Sequence, residues 1–121
     1  MSRKAAPSAP PDRVAAYDRQ VALVPAIERQ GATMPYTSMN GNMFSYLDAT
    51  GAMALRLSAD DREAFILETG SKLHEAYGIV QKEYVTVPAD LLEDTARLVP
   101  WFERSAAYAT TLTAKPAKRS R

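Results

Sequence analysis

Residues 34–57 read MPYTSMNGNMFSYLDATGAMALRL, and the two turns in this stretch decide the fold. Asn40-Gly41 is a strong hairpin signal, because a type I′ turn needs positive φ at both central residues and Asn-Gly meets that need at least strain. Thr50-Gly51 marks a second, weaker turn. Together they cut the stretch into three short strands. Residues 43–48 form the second strand, with Phe44 and Tyr46 expected on a shared face. Residues 52–57 form the third, with Met53, Leu55 and Leu57 on one face and Ala54 and Arg56 on the other. That alternation suits an antiparallel sheet with one face covered and one partly wet. Pro35 in the first strand suits an edge or a bulge.

On the N-terminal side, residues 1–11, MSRKAAPSAPP, are rich in Pro, Ala and Ser and read as a disordered tail. A helix follows from near Asp12, with Val14, Tyr17, Val21 and Val24 on one face, and Pro25 ends or kinks it. Residues 27–33 read as an extended lead into the first strand. On the C-terminal side, Ser58 reads as a helix N-cap followed by Asp60, Asp61 and Glu63. Negative charge in that first turn favours the helix dipole and accounts for the Asp60-Asp61 pair. Phe65 and Ile66 face the core, and Gly70 sits well as the residue after the helix end. Residues 77–87 read as one or two strands, stopped by Pro88, with a short helix over residues 89–93. Leu98, Trp101, Phe102, Ser105, Tyr108, Ala109 and Leu112 then trace the stripe of a final helix, whose start Pro100 obscures. The result is one α+β domain over residues 12–114, an antiparallel sheet of about five strands with helices packed on it, in the order α-β(3)-α-β(2)-α(α). Residues 115–121 read as a disordered basic tail.

The composition bounds the chemistry. The 121-residue chain is 46% hydrophobic and 24% charged, enough for one core. It has no cysteine, which excludes disulfides, thiolate metal sites and cysteine nucleophiles. No signal peptide or membrane-length apolar run is apparent, so a cytoplasmic protein with no membrane partner is expected. The net charge of +1 hides an asymmetry. Residues 12–114 hold nine basic and all 14 acidic residues, a net −5, while the two tails carry +6. A body of that charge repels a phosphate backbone, so nucleic acid is not expected as a direct primary partner. Lys115, Lys118, Arg119 and Arg121 in the C-terminal tail are the candidates for contact with an anionic partner, in a weak and salt-sensitive way.

Catalytic signatures are missing from the sequence, and no catalytic residue, cofactor or metal site is assigned. His74-Glu75 is the one His–carboxylate neighbour pair, and a histidine in a surface loop after the helix is the expected setting. The loop around Asn40-Gly41 lacks the lysine and second glycine of a phosphate loop, and no serine lies in a nucleophile elbow. The remaining candidate cluster is Tyr36, His74, Glu75, Lys82 and Glu83, a polar set that meets beside the sheet if the first and later strands are neighbours.

GATMPYTSMNGNMFSYLDATGAMALRLSADDREAF, at residues 31–65, and KEYVTVPADLLEDTARLVPWFERSAAYA, at residues 82–109, resemble the N-terminal domain of the TfoX/Sxy proteins and the related MmcQ/YjbR-like set. The shared features are a Met-rich hairpin ending in NGNMF, a strand ending in ALRL, an acidic helix start ADDRE and a strand reading EYVTVP. The resemblance implies a single-domain member with a secretion-chaperone-like fold and no family catalytic residue. It implies a non-enzymatic, regulatory role linked to competence or transcription, exercised through a protein partner or a homodimer. The alternative is a small-ligand-binding protein, or an unrecognised enzyme, that uses a polar pocket beside the sheet.

Overall fold

The structure is a computed structural model that describes residues 9–31, 34–76 and 78–112. Both expected tails, and with them Lys115, Lys118, Arg119 and Arg121, fall largely or wholly outside these residues. The element order is α1 (Pro11–Ala22), β1 (Tyr36–Met39), β2 (Asn42–Leu47), β3 (Met53–Arg56), α2 (Ala59–Thr69), β4 (Leu73–Ala76), β5 (Ile79–Val87), α3 (Ala89–Glu93) and α4 (Thr95–Thr111). The five strands form one antiparallel sheet in the order β1-β2-β3-β5-β4. This is the α+β architecture that turn signals and periodicity predict.

The local signals act as their chemistry requires. Asn40 and Gly41 take φ values of 58° and 77°, closing the β1–β2 hairpin. The Ser58 hydroxyl accepts the Asp61 amide at 3.3 Å, and Gly70 ends α2 in the left-handed conformation. Asp94 caps α4, whose interior accommodates Pro100. α1 stops at Ala22, three residues before the expected breaker Pro25.

The helices cover one face of the sheet. α4 lies across β1, β2 and β3, α2 lies against β5, and α1 packs on α4 and β2. Phe44 meets Phe102 with ring centroids 5.4 Å apart, and Phe65 meets Trp101 edge-on at 5.1 Å. Leu47, Met53, Leu55, Leu57 and Val85 fill the space between them. Among these apolar groups lies a buried hydroxyl chain: Tyr17 Oη is 2.6 Å from Ser45 Oγ, which is 2.5 Å from Thr37 Oγ1. Burial pushes the Tyr17 phenol up to about 12, so it stays neutral.

A β-bulge changes the expected facing of β2. Ser38 pairs with Met43 but Thr37 pairs with Ser45, so Phe44 is the extra residue. Phe44 and Ser45 therefore both turn toward the helices, and Tyr46 turns away. The expectation that Phe44 and Tyr46 share a face is corrected on this point. Carbonyls at the bulge take side-chain donors: the Ser105 hydroxyl bridges the carbonyls of Phe44 and Arg56, and Tyr84 Oη donates to Met43 O at 2.8 Å. Hence a serine stands in the apolar stripe of α4.

The second turn also carries a packing constraint. Gly51 has φ 91°, and a Cβ there would lie 2.9 Å from Arg13 Cγ and 3.3 Å from the Pro10 ring. At Gly70, φ is 74° and nothing lies within 4 Å of such a Cβ. Gly51→Ala is therefore expected to cost about 2 kcal/mol or more, against about 1 kcal/mol for Gly70→Ala. Urea midpoints of the two variants check the order, and equal midpoints would remove the packing contribution.

Candidate functional site

The face that no helix of the described residues covers carries a row set by strand register. Tyr36 of β1 stands opposite Tyr46 of β2, Tyr46 opposite Ala54 of β3, and Ala54 opposite Thr86 of β5. Directly opposed residues share a face, so the four side chains form one line across the sheet. In the next row Arg56 stands opposite Tyr84, with its guanidinium 5.9 Å from the ring centre, and bonds Glu83 at 2.7 Å. Burial raises the Tyr84 phenol above its usual range.

The β4–β5 hairpin folds over this face. Leu73 pairs with Val85 but His74 pairs with Gln81, so three residues of β5 have no partner in β4. A flat sheet would hold β4 about 19 Å from β1, at a spacing of roughly 4.8 Å per strand. Ala76 of β4 and Tyr36 of β1 nevertheless line one cleft of about 250 Å³, together with Met34, Met43, Tyr46, Asp48 and Gln81. The sheet is therefore strongly curled. Tyr46 is fixed in this cleft by a hydrogen bond from its hydroxyl to Gln81 Oε1 and by edge contacts with His74 at 5.6 Å and Tyr84 at 5.7 Å.

His74 is a strand residue 2% exposed, which corrects the expectation of a surface-loop histidine. Its Nδ1 lies 2.8 Å from Thr86 Oγ1 and its Nε2 3.4 Å from Asp48 Oδ2. Desolvation holds the imidazole below its ordinary range, against a smaller opposing pull from the Asp48 charge. It is neutral near pH 7. Asp48 itself closes the β2–β3 turn: its Oδ1 accepts from Thr50 N at 2.9 Å, Thr50 Oγ1 at 2.6 Å and Ala52 N at 3.1 Å. Asp48, His74 and Thr86 run in the order carboxylate, imidazole, hydroxyl. The sealed imidazole bonds Thr86 of β5 and packs against the β2–β3 turn, its Nε2 facing Asp48 without a hydrogen bond among the described residues, and it is not open to a substrate.

Of the candidate cluster, Tyr36 and His74 come to the same face on either side of Tyr46. Glu75 is exposed and borders a separate pocket with Asp48, Ala49, Thr50 and Ala76. Lys82 is exposed in the unpaired part of β5. Glu83 joins Arg56 and the Tyr108 hydroxyl in the neighbouring row. The five residues therefore do not form one site. Sequence reasoning missed Tyr46, Asp48, Gln81, Met34 and Met43. The one available signal was Tyr46-x-Asp48 at strand spacing, which puts both on one face once the strand is placed.

Among the described residues no group of three or more His, Asp or Glu side chains is placed to hold a metal ion. Among them too, no helix is long and apolar enough to cross a membrane. The fold and cleft define an α+β protein with a curled, one-side-covered antiparallel sheet. No family model, curated protein or solved structure matches the chain.

Proposed function

We propose that this chain is a non-enzymatic, cytoplasmic binding module of the TfoX/Sxy N-terminal type that contacts a regulatory protein partner through the helix-free face of its sheet. The observation that carries this reading is the cleft: Met34, Tyr36, Met43 and Tyr46 stay partly open around about 250 Å³ on one face, while the other face is filled by helices. Half-open aromatic and methionine side chains around a concave wall are what recognition surfaces use. A photo-crosslinking residue at Met43, on the cleft, is expected to capture a discrete adduct in cells. The same probe at Leu67, 81% exposed on α2, serves as the control. Loss of the adduct on Tyr36→Ala supports the reading, and equal capture at both positions overturns it.

A second reading, a small-ligand-binding protein, is favoured by one feature of the same cleft. Asp48 puts a carboxylate on its wall beside two tyrosines, which is the kind of convergent polar group that orients a small molecule.

A further inference from the structure

The walls of the cleft have a definite chemistry. Tyr36 and Tyr46 are a directly opposed cross-strand pair, and both line it. Met34 and Met43 add two thioethers, Ala76 a small apolar patch, Gln81 an amide and Asp48 a carboxylate. No lysine or arginine is among the described residues that line it.

Among the described residues no lysine or arginine pairs with the carboxylate at this wall. Among the described residues the one basic side chain within ion-pair distance of Asp48 is His74, at 3.4 Å, and burial keeps that imidazole neutral. The nearest cation in the face's next row, Arg56, is committed to Glu83 at 2.7 Å. Asp48 keeps its place through the three donors on Oδ1, so its carboxylate is held on the wall with no Lys or Arg of the described residues within ion-pair distance. Tyr46 is likewise held by Gln81, His74 and Tyr84. Ligand binding then has little side-chain ordering left to impose.

Aromatic faces attract cations through their quadrupole, and alkylated ammonium groups gain most because they shed water easily. Thioethers and a methyl group suit the methyl shell of such a group. We infer that the cleft binds an alkylated ammonium group, with Tyr36 and Tyr46 as its aromatic walls and Asp48 as its counter-charge. At about 250 Å³ the space falls below the roughly 300–1,000 Å³ of pockets for larger ligands, and it fits a single head group. The inference rests on the reading that this face is the binding face, and it names what that face selects. The head group is carried either by a free small molecule or by a methylated lysine of a partner protein.

The test is an amide-resolved NMR titration of the full chain with three probes. They are choline, its neutral carbon analogue in which a quaternary carbon replaces the nitrogen, and a short peptide carrying trimethyl-lysine. Choline is expected to shift resonances of the lining residues saturably, and the neutral analogue to bind about tenfold more weakly or worse. Asp48→Asn keeps the Oδ1 acceptor that closes the turn, and Tyr36→Leu keeps apolar bulk on an edge strand. Each is expected to weaken choline about tenfold with its thermal midpoint little changed. Tighter binding of the peptide than of choline assigns the group to a partner's side chain, and the reverse assigns it to a free cation. Equal binding of the neutral analogue, or undiminished binding to Asp48→Asn, overturns charge selection and leaves the cleft as an apolar binding site. Silence of the lining residues toward all three probes overturns the inference. If the Met43 crosslink still forms, the interaction reading stands without it, and if that fails as well, both fall.

Discussion

Phe44→Ala is expected to lower the unfolding free energy by about 3–5 kcal/mol, out of roughly 5–15 kcal/mol for a domain of this kind. The side chain is 0% exposed, and its ring packs on Phe102 of α4 at 5.4 Å. Deleting it removes the transfer free energy of a benzyl group and leaves a cavity under the longest helix. Two further effects enlarge the cost at this position. Phe44 is the extra residue of the bulge, so its burial helps to hold β2 in the register that points Tyr46 into the cleft. Its carbonyl also takes the Ser105 hydroxyl, a bond that depends on α4 staying seated. Urea unfolding checks the value, with the midpoint falling while the slope is unchanged. Leu67→Ala is the matched control, because Leu67 is 81% exposed and its loss is expected to stay within about 0.5 kcal/mol. Similar midpoints for the two variants would mean that the Phe44–Phe102 contact is not part of the core.

The same bulge marks where the sequence stops being legible. Asn40-Gly41, Ser58 and Gly70 each act within a few residues of themselves, so their roles follow from local chemistry. A two-residue turn at Asn40-Gly41 also sets the pairing of Met39 with Asn42. Counting outward from it, a regular ladder would oppose Tyr36 to Ser45. The bulge advances the register by one residue, and Tyr36 meets Tyr46 instead. Nothing in MFSY announces that step, because the contacts made by the two inward residues lie on α4 and α1: Phe44 packs on Phe102, and Ser45 bonds Tyr17. β4 escaped reading for a similar reason. Leu73-His74-Glu75-Ala76 is a short edge strand whose alternation amounts to one apolar contact and one buried imidazole. His74 is buried because the hairpin curls back onto Asp48 and Thr86, a long-range event that a polar neighbour such as Glu75 argues against. The cleft depends on both irregularities, the bulge in β2 and the offset in β4–β5. Its residues were therefore visible one by one, and their meeting was not.

The curl also gives His74 a part in the stability of the fold toward acid. The imidazole of His74 titrates near 6.5 in an unfolded chain and lower in the fold, where desolvation outweighs the attraction of Asp48. Between those two values the unfolded chain holds more protons than the folded one. The stability His74 contributes is therefore complete above about pH 6.5, declines as the pH falls toward the folded value, and changes no further below it. His74→Gln can still offer Thr86 a hydrogen bond but has no proton to take up in this range. Its unfolding free energy is expected to lose this acid-side slope, so the gap between wild type and His74→Gln narrows as the pH drops. His74→Ala at neutral pH is expected to cost about 2–3 kcal/mol, from the cavity and from the Thr86 hydroxyl left without its 2.8 Å partner. Asp48→Asn supplies the sign from the other direction. Asp48 is the source of what raises the imidazole, through its charge and its side-chain contact, and removing the charge takes away the larger of the two, so the decline should reach further toward low pH in that variant. Denaturant curves at closely spaced pH values read all three effects. Parallel profiles for wild type and His74→Gln would show that the imidazole is not buried as a neutral group, and that β4 does not close over the sheet as described.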